Sequence, residues 1–247
     1  MALTDKLTAI ANAIRGKTGG TVKLSLDEMA NAISNMQTGG SDSTALKGLI
    51  ERTVIDIALP EDLTKIGIYA FYDCTKLALT SLPNGITIIG AYAFYHCTNL
   101  ALTSLPNKIT DIYANAFRDC TNLALTSLPE TLTSIGNGVF MGCTNLALTS
   151  LPSGITMIDY FAFDGCSKLA LSSLPAGITT IRNDAFRNCT GLTTLTFSGT
   201  PSVGIGTLAF SGCTNLTTIN VPWAEGAVSG APWGATNATI NYNYTGE

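Results

Sequence analysis

Cysteine stands at positions 74, 97, 120, 143, 166, 189 and 213, so five consecutive gaps are 23 residues and the last is 24. A spacing that regular comes from one structural unit repeated along the chain, and it restricts the fold to a stacked array. Each Cys closes the phrase Ala-Phe-x-x-Cys, with Val139 the single replacement for the Ala. The phenylalanines are Phe71, Phe94, Phe117, Phe140, Phe163, Phe186 and Phe210. Equivalent Cβ atoms on adjacent turns of a strand solenoid lie about 4.8 Å apart, wider than most disulfides accept. The thiols therefore read as a file of reduced, buried, small hydrophobes. On that reading a serine at Cys120 would bury a hydroxyl that lacks a partner. Metal sites need Cys or His at short local spacings such as C-x-x-C, which this period does not offer, so neither a metal nor a cofactor is expected.

The rest of each repeat follows from the same period. An apolar strand phrase returns at 77–82, 100–105, 123–128, 146–151, 169–174, 192–197 and 216–221, and Val54, Ile57 and Leu59 supply an earlier one, giving eight strands. A second apolar pair follows Pro by three and six residues: Ile86/Ile89, Ile109/Ile112, Leu132/Ile135, Ile155/Ile158 and Ile178/Ile181. One turn of a coil thus runs strand, Pro turn, Ile-x-x-Ile, Ala-Phe-x-x-Cys. No repeat can bury its own Leu, Ile, Phe and Cys, whereas stacked neighbours can. The ends of such a stack need covers. Residues 45–53 are expected to cover one end of an array spanning 45–222, and 223–247 the other, with Ile240, Tyr242 and Tyr244 alternating as a closing strand.

Residues 1–36 lie outside the period. Leu3, Leu7, Ile10, Ala11 and Ile14 recur at helical spacing, and Ser25 with Glu28 makes a capping-box signature before Leu26, Met29, Ala30 and Ile33. This reads as a helical hairpin, and 37–44 has linker composition. Hydrophobic residues make up 46% of the chain and charged residues 12%. No uninterrupted apolar run reaches the ~18 residues of a membrane span. The net charge of −4 and the lack of a basic patch argue against nucleic acid as a partner. No basic segment, apolar core and cleavage site stand at the N-terminus, so no secretory signal is visible in this chain.

The combination Ala-Phe-x-x-Cys-x-x-Leu, an apolar strand ending in Pro, then Ile-x-x-Ile, resembles the BspA-type leucine-rich repeat over roughly residues 49–222. The resemblance implies a right-handed coil with a parallel sheet on its concave face. Members of that group include bacterial surface adhesins and proteins of parasites and phages. The hairpin (Leu-Thr-Ala-Ile-Ala-Asn-Ala-Ile-Arg-Gly-Lys-Thr-Gly-Gly) and the closing segment Ala-Pro-Trp-Gly-Ala-Thr-Asn-Ala-Thr-Ile-Asn-Tyr are similar to segments of tail-associated proteins of phages and prophages of Gram-positive bacteria. One departure concerns facing. The five middle strand phrases read Leu-Ala-Leu-Thr-Ser-Leu-Pro, which leaves Thr80, Thr103, Thr126, Thr149 and Ser172 where the family points a residue inward. A one-residue shift reverses facing in a strand. Either these strands carry a bulge, the reading preferred here, or Leu79, Leu102, Leu125, Leu148 and Leu171 form an exposed stripe, an aggregation hazard.

No phosphate loop, nucleophile elbow or paired carboxylate stands at repeat spacing, so no enzyme is expected. The lone histidine, His96 beside Cys97, reads as a surface residue at a variable place, because the neighbouring Cys points inward. Variation gathers just before and within Ala-Phe-x-x-Cys: Tyr69, Tyr72, Tyr92, Tyr95, His96, Tyr113, Arg118, Tyr160, Phe161, Arg182 and Arg187. These types are favoured where surfaces bind partners. They also suit a packing ladder over neighbouring turns, which stacked equivalent positions favour. The expected function is non-enzymatic recognition and attachment of a cell-surface protein or glycan, with self-association or virion docking through residues 1–36. The setting is a virion, or the cell surface if the chain is a BspA-like adhesin.

Overall fold

The structure, a computed structural model, describes residue 55 and residues 59–199 and 204–246. The expected hairpin, linker and N-terminal cover lie outside the described residues. What is described is a solenoid of parallel strands. Turns are numbered here by their Cys, from Cys74 (turn one) to Cys213 (turn seven). Its strands are β1 (Lys65–Ile66), β2 (Ile88–Ile89), β3 (Asp111–Ile112), β4 (Ser134–Ile135), β5 (Met157–Ile158), β6 (Ser173–Leu174), β7 (Thr180–Ile181), β8 (Thr194–Phe197), β9 (Gly204–Ile205), β10 (Thr218–Asn220) and β11 (Thr239–Asn241). They pair in parallel as β1-β2-β3, β4-β5-β7-β9 and β6-β8-β10-β11.

This pairing corrects one expectation. In turns one to five most of the paired strands lie on the Ile-x-x-Ile side, not on the Leu-Ala-Leu-Thr-Ser-Leu side. There, among the described residues, a single backbone bond links each turn to the one before, as from Ala101 N–H to Leu79 O (3.0 Å) and Ala124 N–H to Leu102 O (3.2 Å). The facing question is settled by burial. Leu79, Leu102, Leu125, Leu148 and Leu171 are all buried, and Thr80, Thr103, Thr126, Thr149 and Ser172 are exposed. Two consecutive outward residues, such as Thr103 and Ser104, break the alternation before Leu105 turns in again. That irregularity keeps the leucines inside and breaks the ladder.

The interior is a set of files running along the coil. The seven corner phenylalanines stack ring on ring, 5.1–5.7 Å between centroids and 2–12° between planes. All seven cysteines are free and buried. The thiols are not partnerless. Cys97, Cys120, Cys143, Cys166, Cys189 and Cys213 each donate to the carbonyl of the Phe one turn back, at 2.9–3.1 Å. That same carbonyl also accepts the N–H of its own turn's Cys, as Phe94 O does from Cys97 (3.1 Å). Burial pushes the Cys213 thiol up to about 11 and raises those of Cys120, Cys143, Cys166 and Cys189 well above the ordinary 9.0.

At the C-terminal end a shortened turn closes the stack. Phe210 N–H donates to Trp233 O (2.9 Å), as Phe186 N–H does to Ala209 O (2.8 Å), so Trp233 takes the backbone place of a corner Ala. Its indole is fully buried, and Nε1 donates to Ser229 O (2.8 Å). Ala235 follows where a Cys would stand, and β11 pairs with β10.

Candidate functional site

Each corner turns sharply enough to place residues in the left-handed backbone region. One such place immediately precedes Cys: Asp73, His96, Asp119, Gly142, Gly165, Asn188 and Gly212 all have φ between 57° and 76°. These are the residue types that tolerate this conformation. His96 therefore stands where a left-handed residue is required, a signal already present in the sequence. Glycine serves a second purpose at position 142, because a Cβ there would meet Asp119 Oδ1 at 2.2 Å.

The other left-handed place, five before Cys, holds Tyr69, Tyr92, Asn115, Gly138, Phe161 and Asp184, with φ of 56–59°. Asn, Gly and Asp suit it. Tyr and Phe do not, since a side chain in this conformation costs roughly 1–2 kcal/mol. Stacking offsets part of that cost. Tyr69 and Tyr92 stack at 5.2 Å, Tyr72 and Tyr95 at 4.8 Å, and Tyr69 meets Tyr72 edge-on at 5.5 Å. Arg118 caps this column, its guanidinium 5.6 Å from the centre of the Tyr95 ring, and its Nε is 3.4 Å from Asp119 Oδ2. His96 Nδ1 lies 2.6 Å from Asp73 Oδ1. The structure thus gathers Tyr69, Tyr72, Tyr92, Tyr95, His96 and Arg118 into one patch over turns one to three, with Asp73 and Asp119 as carboxylate members that sequence reasoning did not single out as site residues.

A second patch spans turns five and six. Arg187 lies 5.5 Å from the centre of the Phe161 ring and donates from Nε (3.1 Å) and Nη2 (2.8 Å) to Asp164, whose carboxylate is 5% exposed. Asp184 approaches the same guanidinium at 3.8 Å. Hydrogen bonding to Asp164 raises the already high pKa of Arg187. Both carboxylates therefore converge on one cation, an arrangement that fixes a side chain. Arg182 covers Tyr160 at 5.5 Å. Tyr113, in turn three, joins neither set of contacts among those described; it is exposed, with its N–H on Ile89 O (3.0 Å). The two patches are separated by turn four, where the corresponding residues are Gly138, Met141 and Gly142. In the first patch the tyrosines stack in pairs, with Tyr69 still 56% exposed, and in the second each ring is paired with an arginine.

A coil of parallel strands closed at each corner by Ala-Phe-x-x-Cys defines a leucine-rich-repeat protein. The chain belongs to the BspA type leucine rich repeat family, whose profile matches residues 51–170 and 125–225 with six copies. Among solved structures, the T. pallidum leucine rich repeat protein is 31% identical, with a TM-score of 0.54, over 66% of this chain and 78% of that one. The pneumococcal vaccine antigen PcpA is 17% identical, with a TM-score of 0.51, over 68% of this chain and 42% of its own length. A leucine rich cell surface protein of Faecalibacterium prausnitzii is 19% identical, with a TM-score of 0.42, over 78% and 80%. No curated protein sequence matches this one significantly.

Proposed function

We propose that this is a non-enzymatic recognition and attachment protein that presents its corner flank to a cell-surface protein or glycan. The observation that supports this most is the tyrosine patch. Aromatic side chains occupy left-handed positions that sister turns give to Asn, Gly or Asp, and backbone strain of this kind concentrates at functional sites. The patch is also pre-ordered by stacking, by the Arg118–Asp119 ion pair and by the His96–Asp73 hydrogen bond, so docking a partner freezes little further side-chain freedom. A partner is held by the hydroxyls, rings and charged groups that the patch exposes.

Membership of the BspA type family supports a surface adhesin or protein-interaction module. The finer reading places the protein on a phage or prophage tail, with residues 1–36 as the module that docks or multimerises. That reading rests on the resemblance of the N-terminal and closing segments. Changing Tyr92, Tyr95 and His96 together to Ala should lower binding to whole bacterial cells by about tenfold or more while circular dichroism stays native. Unchanged cell binding would reduce the patch to a packing ladder. Deleting residues 1–40 should abolish self-association in sedimentation and leave cell binding intact. A truncated chain that cannot fold would make the hairpin a cover for the coil instead.

A further inference from the structure

Between turns three and four the coil has a seam. At each other described step between turns one and seven on the Ile side, at least two backbone bonds tie a turn to the one before. Thr87 and Gly90 donate to Thr64 and Ile66 (2.8 and 2.9 Å), and Thr110 and Tyr113 to Thr87 and Ile89 (2.9 and 3.0 Å). Thr156 and Asp159 donate to Thr133 and Ile135 (both 2.9 Å), and Thr179 and Arg182 to Thr156 and Ile158 (2.8 and 2.9 Å). The equivalent donors of turn four are Thr133 and Gly136, and neither bonds to Thr110 or Ile112 among the described residues. Accordingly the sheet β1-β2-β3 stops where β4-β5-β7-β9 begins. The threonine hydroxyls skip the same step. Thr87, Thr110, Thr156 and Thr179 each donate one turn back at 3.1–3.3 Å, whereas Thr133 does not. The Phe stack is also widest around turn four, 5.7 Å at Phe117–Phe140 and Phe140–Phe163 against 5.1–5.4 Å elsewhere.

Thr131 stands at the break. Gly85, Gly154 and Gly177 hold its place in other turns, where an added Cβ would meet a carbonyl of the preceding turn at 3.1, 3.5 and 3.9 Å. Thr131 brings a branched Cβ to that position, and its hydroxyl donates to the carbonyls of Ile109 and Asn107 of the preceding turn. Lys108 has a Cβ at the same place and its step is paired, so the branch and the hydroxyl are what distinguish Thr131. On the Ile side the Thr131 hydroxyl is thus the tie that replaces the backbone pair, and the remaining sides of this step keep their backbone bonds. Asn115, Phe117 and Asp119 donate to Asn137, Val139 and Met141 (2.9, 3.0 and 2.6 Å), Ala147 donates to Leu125 (3.1 Å), and Cys143 Sγ donates to Phe117 O (3.0 Å).

We infer that the seam is a hinge. Turns one to three form one block and turns four onward another, and the coil flexes by opening and closing its Ile side about the intact corner and Leu-side bonds. The tyrosine patch lies on the first block and the Phe161–Arg187 patch on the second, with the bare corner of turn four between them. A bend therefore resets the spacing of the two patches. The inference rests on the bonding at the seam and stands whether or not the patches bind a partner.

Hydrogen exchange on the full chain tests it. The amides of Thr133 and Gly136 should exchange at least about tenfold faster than those of Thr110, Tyr113, Thr156 and Asp159. Thr131→Gly should remove that difference, and Gly154→Thr should create a second seam at Thr156 and Asp159. A second measurement needs no change at the seam. Spin labels on Lys76→Cys and Lys168→Cys, which span it, should give a broader distance distribution than labels on Lys76→Cys and Asn122→Cys, which lie within one block. The native thiols are buried and stay unlabelled. Equal protection at all these amides in the wild type, or equal widths for the two label pairs, would overturn the hinge.

Discussion

Turns one to five and turns six and seven solve the same packing problem in two ways. Both place three side chains inward across six residues, and both begin and end on the same places after Cys. In turn two these are Leu100, Leu102 and Leu105; in turn six they are Leu192, Leu195 and Phe197. The difference is where the two consecutive outward residues fall. They come late in turn two (Thr103 and Ser104) and early in turn six (Thr193 and Thr194). With the irregularity early, alternation runs unbroken into the pairing zone, and β8 and β10 align over three residue pairs. With it late, one backbone bond per step remains. Burial is equal in the two regions while strand pairing is not. The lesson is that the hydrophobic files hold this coil together, and regular strand pairing is added where the order of facing allows it. The paired region also carries a polar side-chain ladder, Asn241 Nδ2 to Asn220 Oδ1 (2.8 Å) and Asn220 Nδ2 to Thr196 Oγ1 (3.1 Å).

If files dominate, the largest loss comes from the middle of a file. Phe117 lies between two stacked rings, and Phe210 stacks on one, Phe186, among the described residues. Phe117→Ala should cost about 3–5 kcal/mol in denaturant unfolding, and Phe210→Ala less. A loss under about 1 kcal/mol at Phe117 would break the comparison, since it would move the ring out of the core. Next comes facing. Leu102→Asp should cost at least about 3 kcal/mol, because it buries an unpaired charge, while Thr103→Asp stays within about 0.5 kcal/mol. In turn six the order of neighbours reverses, so Leu195→Asp should be severe and Thr194→Asp mild. Tolerance of Asp at Leu102 would show that turns one to five do not hold their leucines inward.

The thiols supply a pH test. Burial raises the folded pKa values of Cys120, Cys143, Cys166, Cys189 and Cys213, so above the ordinary 9.0 the unfolded chain loses protons that the folded chain keeps. Stability should therefore be constant below about pH 9 and fall as pH rises through the range up to and beyond the Cys213 value of about 11. Of these five, Cys213 should be the first to react with an alkylating reagent as pH is raised, with the other four following only on unfolding. Early alkylation of Cys120 would contradict the file. Among the core changes the smallest effect is expected for Cys120→Ser. Its hydroxyl inherits Phe94 O as acceptor, so the loss should be near 1 kcal/mol rather than that of an orphaned polar group.

The array, the corner phrase and the inward leucines were legible because each is a pattern repeated down the chain. Which side of the turn pairs as strands was not. That depends on whether alternation survives at the pairing residues, and Thr103 and Ser104 interrupt it where hydrophobicity alone still suggests a strand. The site was legible in composition and not in cause. The variable Tyr, His and Arg positions could be read off, whereas the left-handed backbone that governs them was hidden behind their variability. In retrospect the column Asp73, His96, Asp119, Gly142, Gly165, Asn188, Gly212 names that conformation by its residue types. Thr131 was beyond reach, because its effect depends on a carbonyl one turn away.

The bond from each Cys to the Phe carbonyl one turn back has a further consequence. Its sequence separation is 26 residues at Cys97, Cys120, Cys143, Cys166 and Cys189, and 27 at Cys213. Every such link has the same form, so an in-frame duplication of 23 residues inserts a donor and an acceptor together and leaves none orphaned. The interior then has translational symmetry, and its length is free to drift by whole units. The corner flank can vary on top of that invariant interior, with each added unit supplying fresh surface at no cost to the contacts beneath it.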